Sequence, residues 1–269
     1  MSYKIYDLSQ PFSSGSTMWP RIAPDVQIGR SPFPGIYGTP NNHPGWPIGP
    51  RWPASLRGGF VGYSGNLHPA THIDAPIYCK EDGISVDKIP LENCYGTGVV
   101  VDFRYMKKWD RITAADFEKA TPKIEPGDFV VVNTGWQKWY KVQDYVYYHH
   151  YPGLVPSAAE WLIEKKIKAI SGTWPTLDHS LAFAPLEKLM PWLNTEYKTE
   201  IGKDPIEEFP DYEPCLPRLL EAGITCIQNA GGDIDQVTGM RCSRFFALPI
   251  RHAGGVDASM TRLVAIFEE

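Results

Sequence analysis

Phe129-Val-Val-Val-Asn133, introduced by Gly127-Asp128, is an unbroken run of aromatic and β-branched residues with no polar alternation. Such runs read as strands covered on both faces, the kind found in parallel sheets flanked by helices. Gly98–Phe103 (GVVVDF) has the same character. Working outward, Ala169–Ser171, Ile224–Ile227, Phe245–Ile250 and Leu263–Phe267 are further strand candidates, and Tyr3–Leu8 alternates as an edge strand does. Helices are signalled between them. Thr113-Ala-Ala-Asp116 and Ser157-Ala-Ala-Glu160 are capping boxes, the second opening a helix to about Lys166. Pro214–Ala222 has proline at its start and Gly223 just past its end, and Pro185–Leu193 is a helix interrupted at Pro191. The pattern predicts an α/β fold with a mixed central sheet.

The chain has 269 residues, enough for one large domain or two small ones. No repeat or linker divides it, so a single domain over residues 1–269 is expected. Hydrophobic residues at 43% and charged residues at 21% exclude a disordered chain. A net charge of −5 argues against a nucleic-acid binder, which needs a basic face. No apolar run is long enough to span a bilayer, and the N-terminus carries no apolar signal segment. Five cysteines, an odd count without C-x-x-C spacing, read as reduced thiols buried in a cytoplasmic protein. Residues 30–60 hold seven prolines, six glycines and the aromatics Phe33, Tyr37, Trp46, Trp52 and Phe60. That stretch cannot be helical and is too aromatic for a solvated linker, so a long ordered loop is expected.

The chemistry is concentrated in Gly65–Pro76, GNLHPATHIDAP, where His68, His72 and Asp74 stand as H-x3-H-x-D. Imidazole and carboxylate are natural ligands for zinc, manganese or iron. In extended chain His72 and Asp74 share a face, and Pro69 denies a helix at His68, so a turn can return it to that face. Three protein ligands leave positions open for water and substrate, the pattern of a catalytic site. Two histidines so close also arise by chance, and the motif alone leaves that open. His43, His149, His150, His179 and His252 are scattered and read as surface or structural residues, and Asp82 and Asp87 as solvated acids. No G-x-S-x-G elbow, phosphate loop or dinucleotide fingerprint is present.

The segment His68–Pro76 closely resembles the signature of the metal-dependent cyclase superfamily, which includes bacterial-type kynurenine formamidases and isatin hydrolases. Tyr6–Ser9 with Trp19-Pro20, Gly127–Trp136, Pro152–Leu154 with Ala158–Leu162, Ala222–Ile224, and Asn229 with Asp235 resemble its other segments in order. The resemblance implies a swivelling β/β/α fold, a homodimer or homotetramer, and hydrolysis of an amide, imide or lactone carbonyl. It makes His68, His72 and Asp74 metal ligands. It also implies departures. Where two-metal members carry histidine, histidine and glutamate, this chain has Tyr78, Leu216 and Gln228. Leucine donates nothing and the other two are weak neutral donors, so one Mn2+ or Zn2+ ion is expected rather than two. Gln228 matches a glutamine ligand of isatin-hydrolase-like members and is the fourth candidate ligand.

A divalent ion in such a site acidifies bound water toward neutral pH and polarises a carbonyl. Asp74 is the candidate proton acceptor and Tyr78 the candidate partner of the oxyanion or substrate. Trp19, Tyr63 and the aromatics of 30–60 are candidates for an apolar wall around a cyclic or aromatic small molecule. The leading expectation is a hydrolase of a small cyclic amide, imide or lactone. An aryl formamidase acting on N-formylkynurenine and a non-catalytic small-molecule binding protein are the alternatives.

Overall fold

A computed structural model describes residues 2–13, 16, 27–30, 61–183 and 185–268, the segments 27–30 and 61–64 by backbone alone. Trp19, His43 and the 31–60 part of the Pro/Gly/aromatic loop lie outside the described residues. Two compact units are formed, one by residues 1–11 with 67–269 and the other by residues 12–66. The smaller unit contains an antiparallel pair, β2 (Gln27–Arg30) and β3 (Val61–Ser64), with Gln27 opposite Ser64 and Arg30 opposite Val61.

The larger unit holds the remaining strands: β1 (Tyr3–Asp7), β4 (His72–Asp74), β5 (Tyr95–Asp102), β6 (Arg111–Ile112), β7 (Phe129–Asn133), β8 (Gly153–Leu154), β9 (Ala169–Gly172), β10 (Thr225–Gln228), β11 (Arg241–Ala247), β12 (Ala258–Met260) and β13 (Leu263–Glu268). Its helices are α1 (Ala114–Glu118), α2 (Asp144–His149), α3 (Pro156–Glu164), α4 (Leu186–Leu189), α5 (Pro191–Ile201), α6 (Pro205–Glu208), α7 (Leu216–Glu221) and α8 (Ile234–Val237). Among the described residues, nine strands make one sheet in the order β1-β13-β11-β5-β7-β9-β10-β4-β12. The central four, β5, β7, β9 and β10, run parallel, and every flanking pair is antiparallel. This is the mixed α/β sheet expected from sequence.

The parallel strands are the apolar runs. All of Phe129–Asn133 and Ala169–Gly172 is buried, as are Gly98–Val101. One face packs Val100, Phe129, Val131, Ala169 and Ile227 together with Ile73, Leu8, Phe245 and Leu263. Gly98 is required by close approach: a Cβ there would lie 2.0 Å from the Phe129 carbonyl oxygen. Packing of α3 against α1 and α7, and of α7 against β10, covers apolar surface on the helical side.

Several boundaries differ from expectation for local reasons. The Thr113/Asp116 capping box forms. The second does not: Val155 is the cap and Pro156 opens α3, placing Ser157 inside the helix. Proline at the first helical position has its φ preset and lacks an N–H that would have no intrahelical partner there. Pro191 likewise opens α5 rather than only interrupting a helix, and α5 runs on to Ile201 before the left-handed Gly202. The helix expected at Pro214 begins at Leu216. Its first amides are held from outside, because Cys215 N–H and Leu216 N–H donate to the Asp178 carboxylate at 2.7 and 2.8 Å. β11 begins at Arg241 and ends at Ala247, with a bulge between Cys242 and Phe245 that breaks its alternation. The five cysteines are free, but Cys79 is exposed rather than buried. Among the described residues, no helix is long and apolar enough to cross a membrane.

Candidate metal centre

β4 is three residues long and sits between β10 and β12. Its period of two separates its residues cleanly. Ile73 enters the apolar core with Ile227, while His72 and Asp74 emerge on the other face. Register then adds neighbours, since directly opposed residues share a face. Gln228 of β10 lies opposite His72, and Cys226 lies opposite Asp74. The candidate Gln228 is therefore placed beside the motif by strand pairing across more than 150 residues of chain.

His68 joins from the turn before β4, where Ala70 takes a left-handed conformation (φ +57°). The potential ligand atoms of His68, His72 and Asp74 all lie within 4.8 Å of one another. His68 Nδ1 is 3.0 Å and His72 Nε2 3.4 Å from Asp74 Oδ1. His72 Nδ1 donates to the Ala70 carbonyl at 2.9 Å, which leaves Nε2 as the lone-pair nitrogen facing Asp74. His68 Nε2 is 3.2 Å from Asp257 Oδ2, so its Nδ1 is the atom turned inward. Gln228 Nε2 donates to Asp74 Oδ2 at 2.8 Å. Gln228 Oε1 is then buried without a hydrogen-bond donor, and Asp74 Oδ1 faces only the two imidazole nitrogens. Buried acceptors are normally satisfied. These two oxygens beside two inward imidazole nitrogens form a donor set that fits one divalent cation.

Electrostatics agree with the geometry. Burial pushes the Asp74 carboxyl up, but the His72 and His68 rings outweigh it and hold Asp74 well below the usual carboxylate range. Burial lowers His68, but hydrogen bonds to Asp257 and Asp74 prevail and raise it to about 10. Asp257, half-exposed just before β12, is pulled down by the same bond.

Tyr78 ends a single helical turn after β4, with its ring 5.4 Å from that of His68. Its hydroxyl donates to Glu213, at 3.1 Å to Oε1 and 3.4 Å to Oε2. Leu216 is buried and offers only its backbone N–H, to Asp178. Glu213 is 7% exposed. Burial and the Asp178 charge push its carboxyl up to about 8, against the Tyr78 hydrogen bond. Glu213, Asp257 and Asp178 were not singled out by sequence reasoning. No spacing rule connects them to the motif, and the only local signal was an acidic residue in a proline-flanked turn at Glu213-Pro214. Tyr63 belongs to β3, where only backbone is described, so the apolar wall expected from Trp19 and Tyr63 falls outside the described side chains. Of the other histidines, His150 pairs with Glu196 and His179 is wholly buried, stacked on Phe209. Asp82 is exposed and Asp87 accepts from Ser85.

The Cyclase family model, described as "Putative cyclase", matches residues 6–179, a span that includes β4 and the three-residue cluster. The chain belongs to the Cyclase family. No protein of curated function matches this Cyclase-family chain in sequence. Among solved structures, isatin hydrolase A from Labrenzia aggregata bound to benzyl benzoate is similar, with 21% identity, 99% of this chain and 94% of that chain covered, and a TM-score of 0.69. Isatin hydrolase A from Ralstonia solanacearum has 21% identity, 99% and 92% coverage and a TM-score of 0.68. An isatin hydrolase bound to the product analogue thioisatinate has 17% identity, 99% and 93% coverage and a TM-score of 0.69. At these identities the likeness establishes the fold that this family member shares with them.

Proposed function

We propose that this protein is a single-metal hydrolase that opens a small cyclic amide, imide or lactone. The observation that carries the reading is the convergence of His68, His72 and Asp74 within 4.8 Å, with Gln228 Oε1 buried beside them and lacking a donor. His68, His72 and Asp74 would hold the ion, with Gln228 Oε1 as a fourth donor. An ion so held supplies an acidified water and a polarised carbonyl. Mn2+ and Zn2+ both suit a set of two nitrogens and two oxygens. The likeness to isatin hydrolases supports a ring-opening substrate.

The protein's own residues do the rest. His72 is oriented by the Ala70 carbonyl and His68 by Asp257, so both rings present the correct nitrogen. Asp74 Oδ2 is fixed by the Gln228 amide, which orients the carboxylate between the two imidazoles. One ion rather than two follows from Leu216, which offers no side-chain donor, and from Tyr78, whose hydroxyl is engaged by Glu213. That same loss disfavours an aryl formamidase of the two-metal kind.

The test is turnover by the metal-loaded protein on a cyclic imide, an unsaturated lactone and an aryl formamide in parallel, with a metal-free control. Metal-dependent opening of the imide or lactone supports the reading. Preference for the aryl formamide, or ligand binding without turnover of any of the three, refutes it.

A further inference from the structure

Cleaving an amide or imide leaves a nitrogen that departs poorly as an anion, so a proton must reach it. The groups of the metal cluster are already committed. His72 Nδ1 donates to Ala70, His68 Nε2 faces Asp257, and Asp74 holds no hydrogen to give. Beside them, among the described residues, Tyr78 carries a hydroxyl, its ring packed on His68. Behind Tyr78 stands Glu213, buried and bonded to that hydroxyl through both carboxyl oxygens.

Glu213 has an unusual setting for an acid. Its backbone is left-handed (φ +42°), which an L residue rarely adopts, and its N–H is tied to the Ala182 carbonyl at 2.8 Å. No lysine or arginine forms an ion pair with it among the described residues. Its charged company is two more acids, Asp178 and Asp74, with the His68 ring opposing them only in part. A protein seldom keeps a buried acid in such company, on a strained backbone, unless the carboxyl is used.

We infer that Tyr78 and Glu213 form a two-step relay that protonates the departing atom, with Tyr78 touching the substrate and Glu213 resupplying Tyr78. The inference rests on the hydrolase reading above. In the step, the water oxygen bonds to the carbonyl carbon and the carbon–nitrogen pair collapses onto nitrogen. Nitrogen takes the phenol hydrogen of Tyr78, and the phenol oxygen takes the carboxyl hydrogen of Glu213. The proton shed by the water passes through solvent back to Glu213, so the net change is addition of one water. Burial and neighbouring acids keep the Glu213 proton in place near neutral pH, which lets the Tyr78–Glu213 bond reverse its direction. Tyr78 is the catalytic residue of the pair, and Glu213 is a positioning residue that acts through it.

The test compares wild type, Tyr78→Phe, Glu213→Gln and the double variant on two substrates of the same acyl group. One is an amide; the other is a nitrophenyl ester, whose leaving group needs no proton. The relay predicts a loss of about 100-fold or more in kcat on the amide for either single variant. It predicts only a few-fold loss on the ester, and no further loss in the double variant. A second measurement needs no metal and no turnover. Proton NMR of the metal-free protein should show a slowly exchanging hydroxyl resonance, absent in Tyr78→Phe and displaced in Glu213→Gln. Equal losses on amide and ester, additive losses, unchanged amide kcat, or a resonance indifferent to Glu213→Gln would each overturn the relay while leaving the hydrolase intact. A wild-type protein inert toward both substrates would remove the reaction and the relay together, with the resonance still reporting whether the pair is bonded.

Discussion

Binding of a divalent ion should expel a proton, and the structure says from where. His68 lies between two carboxylates, Asp74 at 3.0 Å and Asp257 at 3.2 Å. Despite burial, their hydrogen bonds raise it to about 10, so near neutral pH the metal-free protein holds a protonated His68 bridging both. The sign follows from linkage. A raised folded-state value means this stabilisation is complete below the ordinary 6.5 and fades as pH rises through about 10. An ion needs the Nδ1 lone pair and must displace that proton. One proton per ion makes apparent affinity rise about tenfold, or about 1.4 kcal/mol, for each pH unit in that window. The assay is calorimetric titration of metal-free protein with Mn2+ or Zn2+ in two buffers of different ionisation heat, at about pH 7 and pH 8. The Asp257→Asn variant replaces the charged acceptor beside His68 Nε2 with a neutral one and should release less of this proton at the upper pH. Affinity independent of pH, with no buffer-dependent heat, would refute the reasoning.

Gln228→Leu removes the donor to Asp74 and the orphaned oxygen together, and should weaken metal affinity by roughly 10–100-fold in the same titration. Ile73→Ala hollows the core beneath the site without touching a ligand; a loss of about 2–5 kcal/mol lowers the melting temperature of the metal-free protein by roughly 4–20 °C. Glu213 is raised from 4.5 to about 8 by burial and by Asp178, so between those values the folded state binds the extra proton and stability falls as pH rises. Thermal melts of Glu213→Gln should therefore be less steeply destabilised than wild type between about pH 5 and pH 8.

What was legible in the chain was whatever local physics dictates. The strands at Phe129–Asn133 and Leu263 onward were readable because β-branched runs have few other places to go. The cluster was readable because its three residues fall within seven positions, and extended backbone alone puts two of them on one side. Gln228 needed the family resemblance to be singled out, and strand register then accounts for its place opposite His72. Other features depend on tertiary packing. Ser157 lost the cap to Val155 because Pro156, with its preset φ, takes the first helical position. The start of β11 was hidden by its bulge, which breaks the alternation that marks a strand. Glu213 and Asp257 stand 135 and 189 positions from the residues they contact, so no window on the sequence holds both partners.

Elemental analysis of protein purified without chelator tests the account most directly. It predicts about one divalent ion per chain, lost in His72→Ala while the variant keeps its folded circular dichroism spectrum. A wild-type chain without stoichiometric metal that still hydrolyses its substrate in strong chelator, or a His72→Ala chain that keeps its full ion, would contradict it.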